Sequence, residues 1–184
     1  TTEIYTLSLH DALPICEYRV NTHTGHTQRN PEVTSLEDGS YVITWGSRYQ
    51  DAGSSYGVYG QHYSASGEPQ GGEFQIHTTI DDDQYDPSIA SLDDGGFVVT
   101  WRDDNGATDS REGSGVDVFG QRFDANSVKV GDEFLINADA DTGSQYEPSV
   151  AGLGNGQFVV TWRDSQGSSH DKSGDDAKIG RAHV

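Results

Sequence analysis

The sequence is poor in cysteine, in long apolar runs and in basic residues, and each of these scarcities excludes a kind of structure or partner. Its only cysteine among 184 residues is Cys16, so no intramolecular disulfide can form. No run approaches the roughly 18 apolar residues that a membrane-spanning helix needs. Basic residues are few, 11 lysines and arginines against 30 aspartates and glutamates, for a formal net charge of -19. Because phosphate backbones and many membrane surfaces are also negative, we expect neither nucleic acid nor a membrane as a partner.

The two ends of the sequence differ from the rest. Residues 1–15 (TTEIYTLSLHDALPI) resemble a codon-by-codon translation of a sequencing adapter, and residues 179–184 (IGRAHV) resemble a translation of its opposite end. The alternative for the first segment, a signal peptide, lacks a basic beginning and carries Glu3 and Asp11 where an apolar stretch belongs. We therefore predict adapter-derived, non-native tails at 1–16 and 179–184.

Between these tails lies a repeat of about 60 residues. The segments PEVTSLEDGSYVITW, PSIASLDDGGFVVTW and PSVAGLGNGQFVVTW begin at positions 31, 87 and 148, which are 56 and 61 residues apart. A second anchor, VYGQHY, recurs as VFGQRF, and a third, EYRVN, recurs as EFQIH and EFLIN. We assign the repeat region to 17–178, with a partial strand at 17–21, repeats at 31–77 and 87–137, and a partial repeat at 148–178.

Each repeat predicts four β-strands and no helix. The anchors are rich in β-branched and aromatic residues, and Asp-Gly or Asn-Gly at 38–39, 94–95 and 155–156 indicates a tight hairpin turn. The FVVT core of the central strand is apolar at consecutive positions, which implies cover on both faces. We therefore predict an all-β fold in which four-stranded repeats stack as β-propeller-like blades, in a fragment with too few blades to close.

Two residue types recur once per repeat at fixed places in the strands. Trp45, Trp101 and Trp162 follow the FVVT-like core, and we interpret them as blade-packing residues rather than ligand contacts. Gln61 and Gln121 each follow a glycine, and we expect them either to hydrogen-bond the backbone of the neighbouring blade or to be exposed strand residues.

Acid-rich loops are the best candidates for a metal site. Calcium takes six to eight oxygen ligands, commonly from carboxylates at alternate positions of a turn, and Asn137, Asp139 and Asp141 alternate in this way. With the preceding loop, the candidate calcium ligands are Asp81, Asp83, Asp139 and Asp141. The alternative is a solvated acidic loop without a bound ion. We expect no other cofactor.

One segment matches a catalytic motif, but its context does not. Residues 53–57 (GSSYG) fit the GxSxG pattern of a hydrolase nucleophile elbow, which requires a strand leading into a helix. Here the segment lies between two strands, and the aligned residues 113–117 (GSGVD) lack the pattern. We assign no catalytic residue, and we predict that the chain is not an enzyme.

The anchors GGFVVTW, VFGQRFDAN and VGDEFLIN resemble repeats of very large secreted bacterial proteins of the RTX, haemolysin-type calcium-binding and adhesin-like classes. The resemblance covers nearly all of 17–178. It implies export, an extracellular or cell-surface location, and partners that include neighbouring repeats and a surface glycan or protein. The nonapeptide GGxGxDxUx of calcium-binding β-rolls is absent, so the resemblance alone does not carry calcium binding over.

Two functions from different classes follow from these patterns. The first is a non-enzymatic repeat module of a secreted or cell-surface bacterial protein, an adhesive or structural scaffold with calcium as a candidate ligand. The alternative is a fragment of a β-propeller enzyme that acts on glycans. The near-equivalence of the repeats favours the first, because catalysis usually requires one repeat to differ sharply from its neighbours.

Overall fold

The structure, a computed structural model, describes residues 5–8, 16–51, 56–80, 83–104, 115–137, 144–164 and 176–180. All regular elements within these ranges are β-strands, which confirms the all-β prediction. No helix in the described ranges is long and apolar enough to cross a membrane.

The strands form one two-stranded hairpin and three larger sheets. The hairpin contains β1 (Tyr5–Ser8) and β2 (Cys16–Arg19). Blade one contains β3 (Gln28–Ser35), β4 (Tyr41–Arg48), β5 (Tyr56–Tyr63) and β6 (Phe74–Gln75). Blade two contains β7 (Gln84–Ser91), β8 (Phe97–Asp103), β9 (Asp117–Phe123) and β10 (Lys129–Leu135). Blade three contains β11 (Gln145–Gly152), β12 (Phe158–Asp164) and β13 (Asp176–Gly180).

Each blade is an antiparallel meander in which strands adjacent in sequence are also adjacent in the sheet. The turn between the first two strands of each blade contains a glycine in the left-handed region: Gly39 (φ 83°), Gly95 (φ 84°) and Gly156 (φ 68°). Side chains other than glycine, asparagine and aspartate rarely adopt this conformation, which explains the Asp-Gly and Asn-Gly pairs of the sequence. The predicted hairpin and four-stranded repeat are confirmed in blades one and two.

The blades stack face to face, and blade two is covered on both faces. Strand β7 packs against β3, β4 and β5, and β11 packs against β7, β8 and β9. Along β8, Phe97 and Val99 join the core shared with blade one, whereas Val98 joins the core shared with blade three. Because side chains alternate between the faces of a strand, the consecutive apolar positions of FVVT supply both cores at once. The fold is that of an incomplete β-propeller.

Trp101 and Trp162 pack between blades as expected, whereas Trp45 packs on the other face of blade one, in a cluster with Val20. Trp45 and Trp101 are fully buried, and the ring of Trp101 stacks on that of Phe119 with centroids 6.4 Å apart. Trp162 is partly buried against the core between blades two and three. Burial of such an apolar side chain stabilises the fold by roughly 1.5–3 kcal/mol, so Trp101 and Trp162 help to hold the stack together.

The prediction for the glutamines is wrong, because they bond the backbone of their own blade. The Gln61 side-chain amide donates to the carbonyl of Gly71 at 3.3 Å, and that of Gln121 donates to the carbonyl of Val130 at 3.3 Å. In blade two the register shifts after Val130, which interrupts regular pairing there. The glutamine therefore donates to backbone carbonyls that the strand pairing leaves without a donor.

Candidate functional site

The antiparallel meander gives every blade two edges of different character. The hairpin edge contains the glycine turns at 36–40, 92–96 and 153–157. At the opposite edge the first strand of each blade begins and the second ends. We call this opposite edge the arginine edge, because it carries four of the arginines of this acidic chain: Arg29, Arg48, Arg102 and Arg163.

A bulge at the start of each first strand shapes the arginine edge. The residue before the conserved repeat proline is left-handed in all three blades: Asn30 (φ 51°), Asp86 (φ 51°) and Glu147 (φ 53°). The pairing with the second strand shifts register at the same place in all three sheets. Bulges bend a strand and re-aim its side chains, and here they turn the preceding residue, Arg29 or a tyrosine, along the edge.

Guanidinium groups and tyrosine rings alternate along this edge. The guanidinium of Arg29 lies 4.0 Å from the ring centroid of Tyr56 and 4.3 Å from that of Tyr85. The guanidinium of Arg102 lies 4.5 Å from Tyr85 and 5.3 Å from Tyr146. Each cation–π contact contributes about 0.5–1 kcal/mol at a partly exposed site. Together these contacts join blade one to blade two and blade two to blade three.

The ladder continues at both ends. The guanidinium of Arg48 lies 4.6 Å from the ring of Tyr49, and that of Arg163 lies 5.4 Å from the ring of Tyr146. Eight side chains thus form one row, which we call the arginine–tyrosine ladder: Tyr49, Arg48, Tyr56, Arg29, Tyr85, Arg102, Tyr146 and Arg163.

Carboxylates lie beside the ladder and partly compensate its charge. Arg102 Nη1 is 3.4 Å from Asp86 Oδ2, and Arg163 Nη2 is 3.6 Å from Glu147 Oε1. The Asn30 side-chain amide also donates a hydrogen bond to Asp86. A guanidinium has five N–H donors, and these long contacts leave donors for a further acceptor such as a ligand carboxylate.

Tyr85, in the middle of the ladder, is hydrogen-bonded to an acid. Its hydroxyl donates to Asp83 Oδ2, while Asp83 Oδ1 accepts the backbone N–H of Tyr56 at 2.9 Å. Burial raises the pKa of the Tyr85 phenol, the Asp83 carboxylate raises it further, and the charge of Arg29 opposes both effects. The phenol is therefore neutral near pH 7, with a carboxylate in place to accept its proton.

This acid–tyrosine pair occurs in one blade of three. The positions equivalent to Asp83 and Tyr85 are Thr27 and Arg29 in blade one, and Ser144 and Tyr146 in blade three. The strand anchors are alike in the three repeats, but this edge is not.

Buried polar side chains hold the start of the third strand in blades one and two. The His77 ring accepts a backbone N–H of β5 through Nδ1 at 3.1 Å, and its Nε2 lies 3.0 Å from Asp51 Oδ2. Asn137 serves the same purpose one blade later: its Oδ1 accepts a backbone N–H of β9 at 2.8 Å, and its Nδ2 donates to Asp117 at 2.5 Å. Burial lowers the pKa of His77, so the neutral ring is the stable form. At 1% exposure His77 is a structural residue.

The predicted calcium ligands are not brought together within the described residues. Asp83 lies at the arginine edge, where both its oxygens accept protein hydrogen bonds. Asp81, Asp139 and Asp141 lie outside the described residues. In the ranges that the structure describes, no group of three or more histidine, cysteine, aspartate or glutamate side chains could hold a metal ion. Calcium binding stays a prediction, as do the RTX-like resemblance, the domain limits and the adapter-derived tails.

Sequence reasoning missed the ladder, although the repeat contained a signal for it. Arg102 and Arg163 directly follow the anchor tryptophan. The position two residues before the repeat proline, directly after a glutamine, holds Arg29, Tyr85 or Tyr146. An alignment of the repeats therefore shows arginine or tyrosine at these places. That they meet in space depends on the stacking of the blades.

No family model matches this chain, and no curated protein matches it either. Solved structures do match. The Hadza microbial sialidase Hz136 is similar with a TM-score of 0.60 and 15% identity, over 83% of this chain and 34% of that one. A Trypanosoma rangeli sialidase is similar with a TM-score of 0.44 and 14% identity, over 97% of this chain and 34% of that one. The chain thus spans about a third of the length of these structures.

These likenesses correct one prediction. The prediction that the chain is not an enzyme is contradicted by the likeness to the Hadza microbial sialidase, which is an enzyme. The near-equivalence of the repeats was the wrong guide: it is a property of the strand anchors, whereas the arginine edge differs between blades, as Asp83 and Tyr85 show. At 15% identity the likeness to the Hadza sialidase shows the fold, and that fold is the β-propeller.

Proposed function

We propose that this chain is part of a β-propeller glycosidase that acts on carboxylated glycans, of which sialic acid is the model, and that the arginine edge is where they bind. The observation that carries the proposal is the Asp83–Tyr85 pair with guanidinium groups on both sides, Arg29 at 4.3 Å and Arg102 at 4.5 Å from the tyrosine ring. The β-propeller fold shared with a sialidase supports it.

The arginines suit recognition of a carboxylate. A guanidinium group presents a planar fork of donors that matches the two oxygens of a carboxylate, and such charge-assisted hydrogen bonds are among the strongest in proteins. In a chain of net charge -19, an anionic ligand needs a local concentration of positive charge. Among the described residues, Arg29 and Arg102 supply it on either side of one tyrosine.

The acid–tyrosine pair suits cleavage of a glycosidic bond. Most glycosidases use two carboxylates, whereas sialidases use a tyrosine nucleophile. In the proposed reaction the Tyr85 proton passes to Asp83, the phenolate oxygen bonds to the anomeric carbon, and the glycosidic C–O bond breaks. Water protonates the leaving oxygen, and the hydroxide left behind displaces the tyrosine from the anomeric carbon. Asp83 then returns the proton to the phenolate.

The proposal includes a location and partners. Carboxylated glycans are displayed outside cells, so we place the protein in the extracellular space or at a cell surface, with neighbouring repeats and a surface glycan as its partners. A purely adhesive scaffold would not require a carboxylate to hold the hydroxyl of one tyrosine in one blade only.

Binding of N-acetylneuraminic acid and of its methyl ester, followed by NMR chemical shifts of the folded chain, tests the ligand class. The methyl ester keeps the sugar and replaces the charged carboxylate with an uncharged ester that carries one additional methyl group. A hydrogen bond to a charged group contributes about 1.5–3 kcal/mol, so the acid should bind about tenfold more tightly or better. Equal affinity, or no shift with either sugar at high concentration, would contradict the proposal.

Hydrolysis of a fluorogenic N-acetylneuraminide tests the chemistry. Turnover above the buffer rate should disappear in Tyr85→Phe, which keeps the ring in the ladder and removes the nucleophilic oxygen. The matched control is Tyr146→Phe, the equivalent position in blade three, which should keep the wild-type rate. Hydrolysis by Tyr85→Phe at the rate of the control would refute the role of Tyr85.

A further inference from the structure

A polar cavity lies at the hairpin edge, between blades one and two. Its volume is about 370 Å³, which is within the size range of small-molecule sites. The polar residues that line it are Asp38, Ser40, His62, Ser64, Gln70 and Asn126. The hairpin edge and the arginine edge are opposite ends of the strands, so the cavity lies far from the arginine–tyrosine ladder.

The imidazole of His62 is held from both sides in this cavity. Ser40 Oγ lies 3.0 Å from His62 Nε2, and Ser127 Oγ of blade two lies 3.2 Å from His62 Nδ1. The Asp38 carboxylate accepts the Ser40 hydroxyl at 2.5 Å and the Ser40 backbone N–H at 2.9 Å.

The charge of Asp38 determines the directions of the hydrogen bonds in this cluster. Asp38 carries a lowered pKa, mainly through its hydrogen bond from the Ser40 side chain, and an ionised carboxylate can only accept. The single Ser40 hydroxyl proton therefore points to Asp38. His62 then donates to Ser40 through Nε2 and accepts the Ser127 hydroxyl through Nδ1. Ser40 and His62 are therefore held in fixed orientations in the lining of the cavity.

In blade two the equivalent place at the hairpin edge, which we call the corner of the blade, is bridged by an ion pair. Arg122 stands where blade one has His62, and its Nη2 is 2.7 Å from Asp94 Oδ2. Gly96 stands where blade one has Ser40, and a Cβ there would lie 2.3 Å from the Phe123 carbonyl oxygen. In blade one the imidazole of His62 is shorter than an arginine side chain, so no guanidinium covers the turn that contains Asp38. The cavity is thus a difference between blades that have the same strands.

We propose that this cavity binds an uncharged saccharide unit. Its lining offers hydroxyls, side-chain amides, an imidazole and a carboxylate, so donors and acceptors are both present, as the hydroxyl groups of a sugar require. The six polar lining residues include no lysine or arginine, and the Asp38 charge disfavours an anion. This site is separate from the arginine edge and does not depend on the function proposed for it.

Titration of the isotope-labelled chain with D-galactose, D-glucose and N-acetyl-D-glucosamine, each used separately, tests the proposal. At least one sugar should cause saturable chemical-shift changes at the His62 ring and at the Gln70 and Asn126 side-chain amides. If none of the three sugars does so, or if the shifts map to the arginine edge instead, the proposal is overturned.

Two variants locate the binding. His62→Arg copies the residue of blade two, should fold, and should weaken sugar binding about tenfold by placing a guanidinium across the cavity toward Asp38. Asn126→Ala removes one lining amide from an exposed turn and should weaken binding severalfold without loss of folding. Wild-type affinity in both variants would overturn the proposal. Arg102→Ala, at the arginine edge, should bind the sugar as wild type does, so failure of one site is distinguishable from failure of the other.

Discussion

The arginine edge and the hairpin edge are built from opposite ends of the same strands, and they join the blades differently. At both junctions of the arginine edge a guanidinium lies over the bulge tyrosine of the next blade: Arg29 of β3 over Tyr85, and Arg102 of β8 over Tyr146. The tyrosines keep equivalent places because the bulge and the proline that follows it recur, whereas the two arginines come from different strands of their blades.

At the hairpin edge the two junctions differ. His62 meets Ser127 between blades one and two, whereas Asp93 accepts the backbone N–H groups of Asn155 and Gly156, each at 2.5 Å, between blades two and three. The comparison teaches that repeated strands do not imply repeated surfaces. The apolar faces determine how the blades stack, and residues at the edges are then free to differ and to form sites.

The largest expected effect comes from breaking the core on which both edges depend. Trp101→Ala should lower the free energy of unfolding by about 3–5 kcal/mol, because the indole is fully buried between blades and leaves a large cavity. Trp162→Ala, at a partly buried equivalent position, should cost roughly 1–2 kcal/mol. Urea unfolding followed by circular dichroism measures both. Equal losses would show that the two interfaces do not differ as described.

A smaller effect is expected from removing one ring of the ladder. Tyr85→Ala should cost about 2–4 kcal/mol, because the ring is in contact with two guanidinium groups and its hydroxyl with Asp83. The control is Tyr49→Ala, at the exposed end of the ladder, which should cost about 0.5 kcal/mol. The same unfolding measurement applies. A Tyr85→Ala variant as stable as the control would mean that the ladder does not hold the blades together.

Acid should weaken the fold through His77. Burial lowers the pKa of its ring below the value of the unfolded chain, so the stability that it contributes is complete above pH 6.5 and is lost as the pH falls through the folded-state pKa. His77→Asn copies the equivalent residue of blade two, Asn137, and should flatten the decline in stability between pH 7.5 and pH 5. His26→Asn, at an exposed position, should leave the decline unchanged. If His77→Asn declined as steeply as wild type, His77 would not be its source.

The smallest effect is expected at the corner of blade two. Arg122→His removes the ion pair with Asp94, which is partly exposed, and should cost about 0.5 kcal/mol or less, an effect that 1 M salt should abolish. The variant should also make the corner of blade two more like that of blade one. A loss above about 2 kcal/mol in urea unfolding would show that this corner supports the stack, contrary to the comparison.

Much of the fold could be predicted from the sequence, and little of the site. Strand positions, hairpin turns and the burial of Trp101 follow from local patterns, because alternation and left-handed turn residues act over a few positions. The partners of Arg29 could not be predicted in this way, since Tyr56 and Tyr85 are 27 and 56 residues away. The expected glutamine contacts were wrong for a related reason: the carbonyls that Gln121 satisfies exist only because the register shifts after Val130.

The sequence by itself determined a stack of four-stranded antiparallel blades, because its apolar positions are consecutive in the central strand and its glycines occur where a left-handed turn is needed. Only the tertiary structure decided which side chains meet. Stacking brings the start of one blade against the middle of the previous one, and this places Tyr85 between Arg29 and Arg102. It also leaves His62 beside an open cavity. Such neighbours are set by the packing of whole faces, which no local pattern encodes.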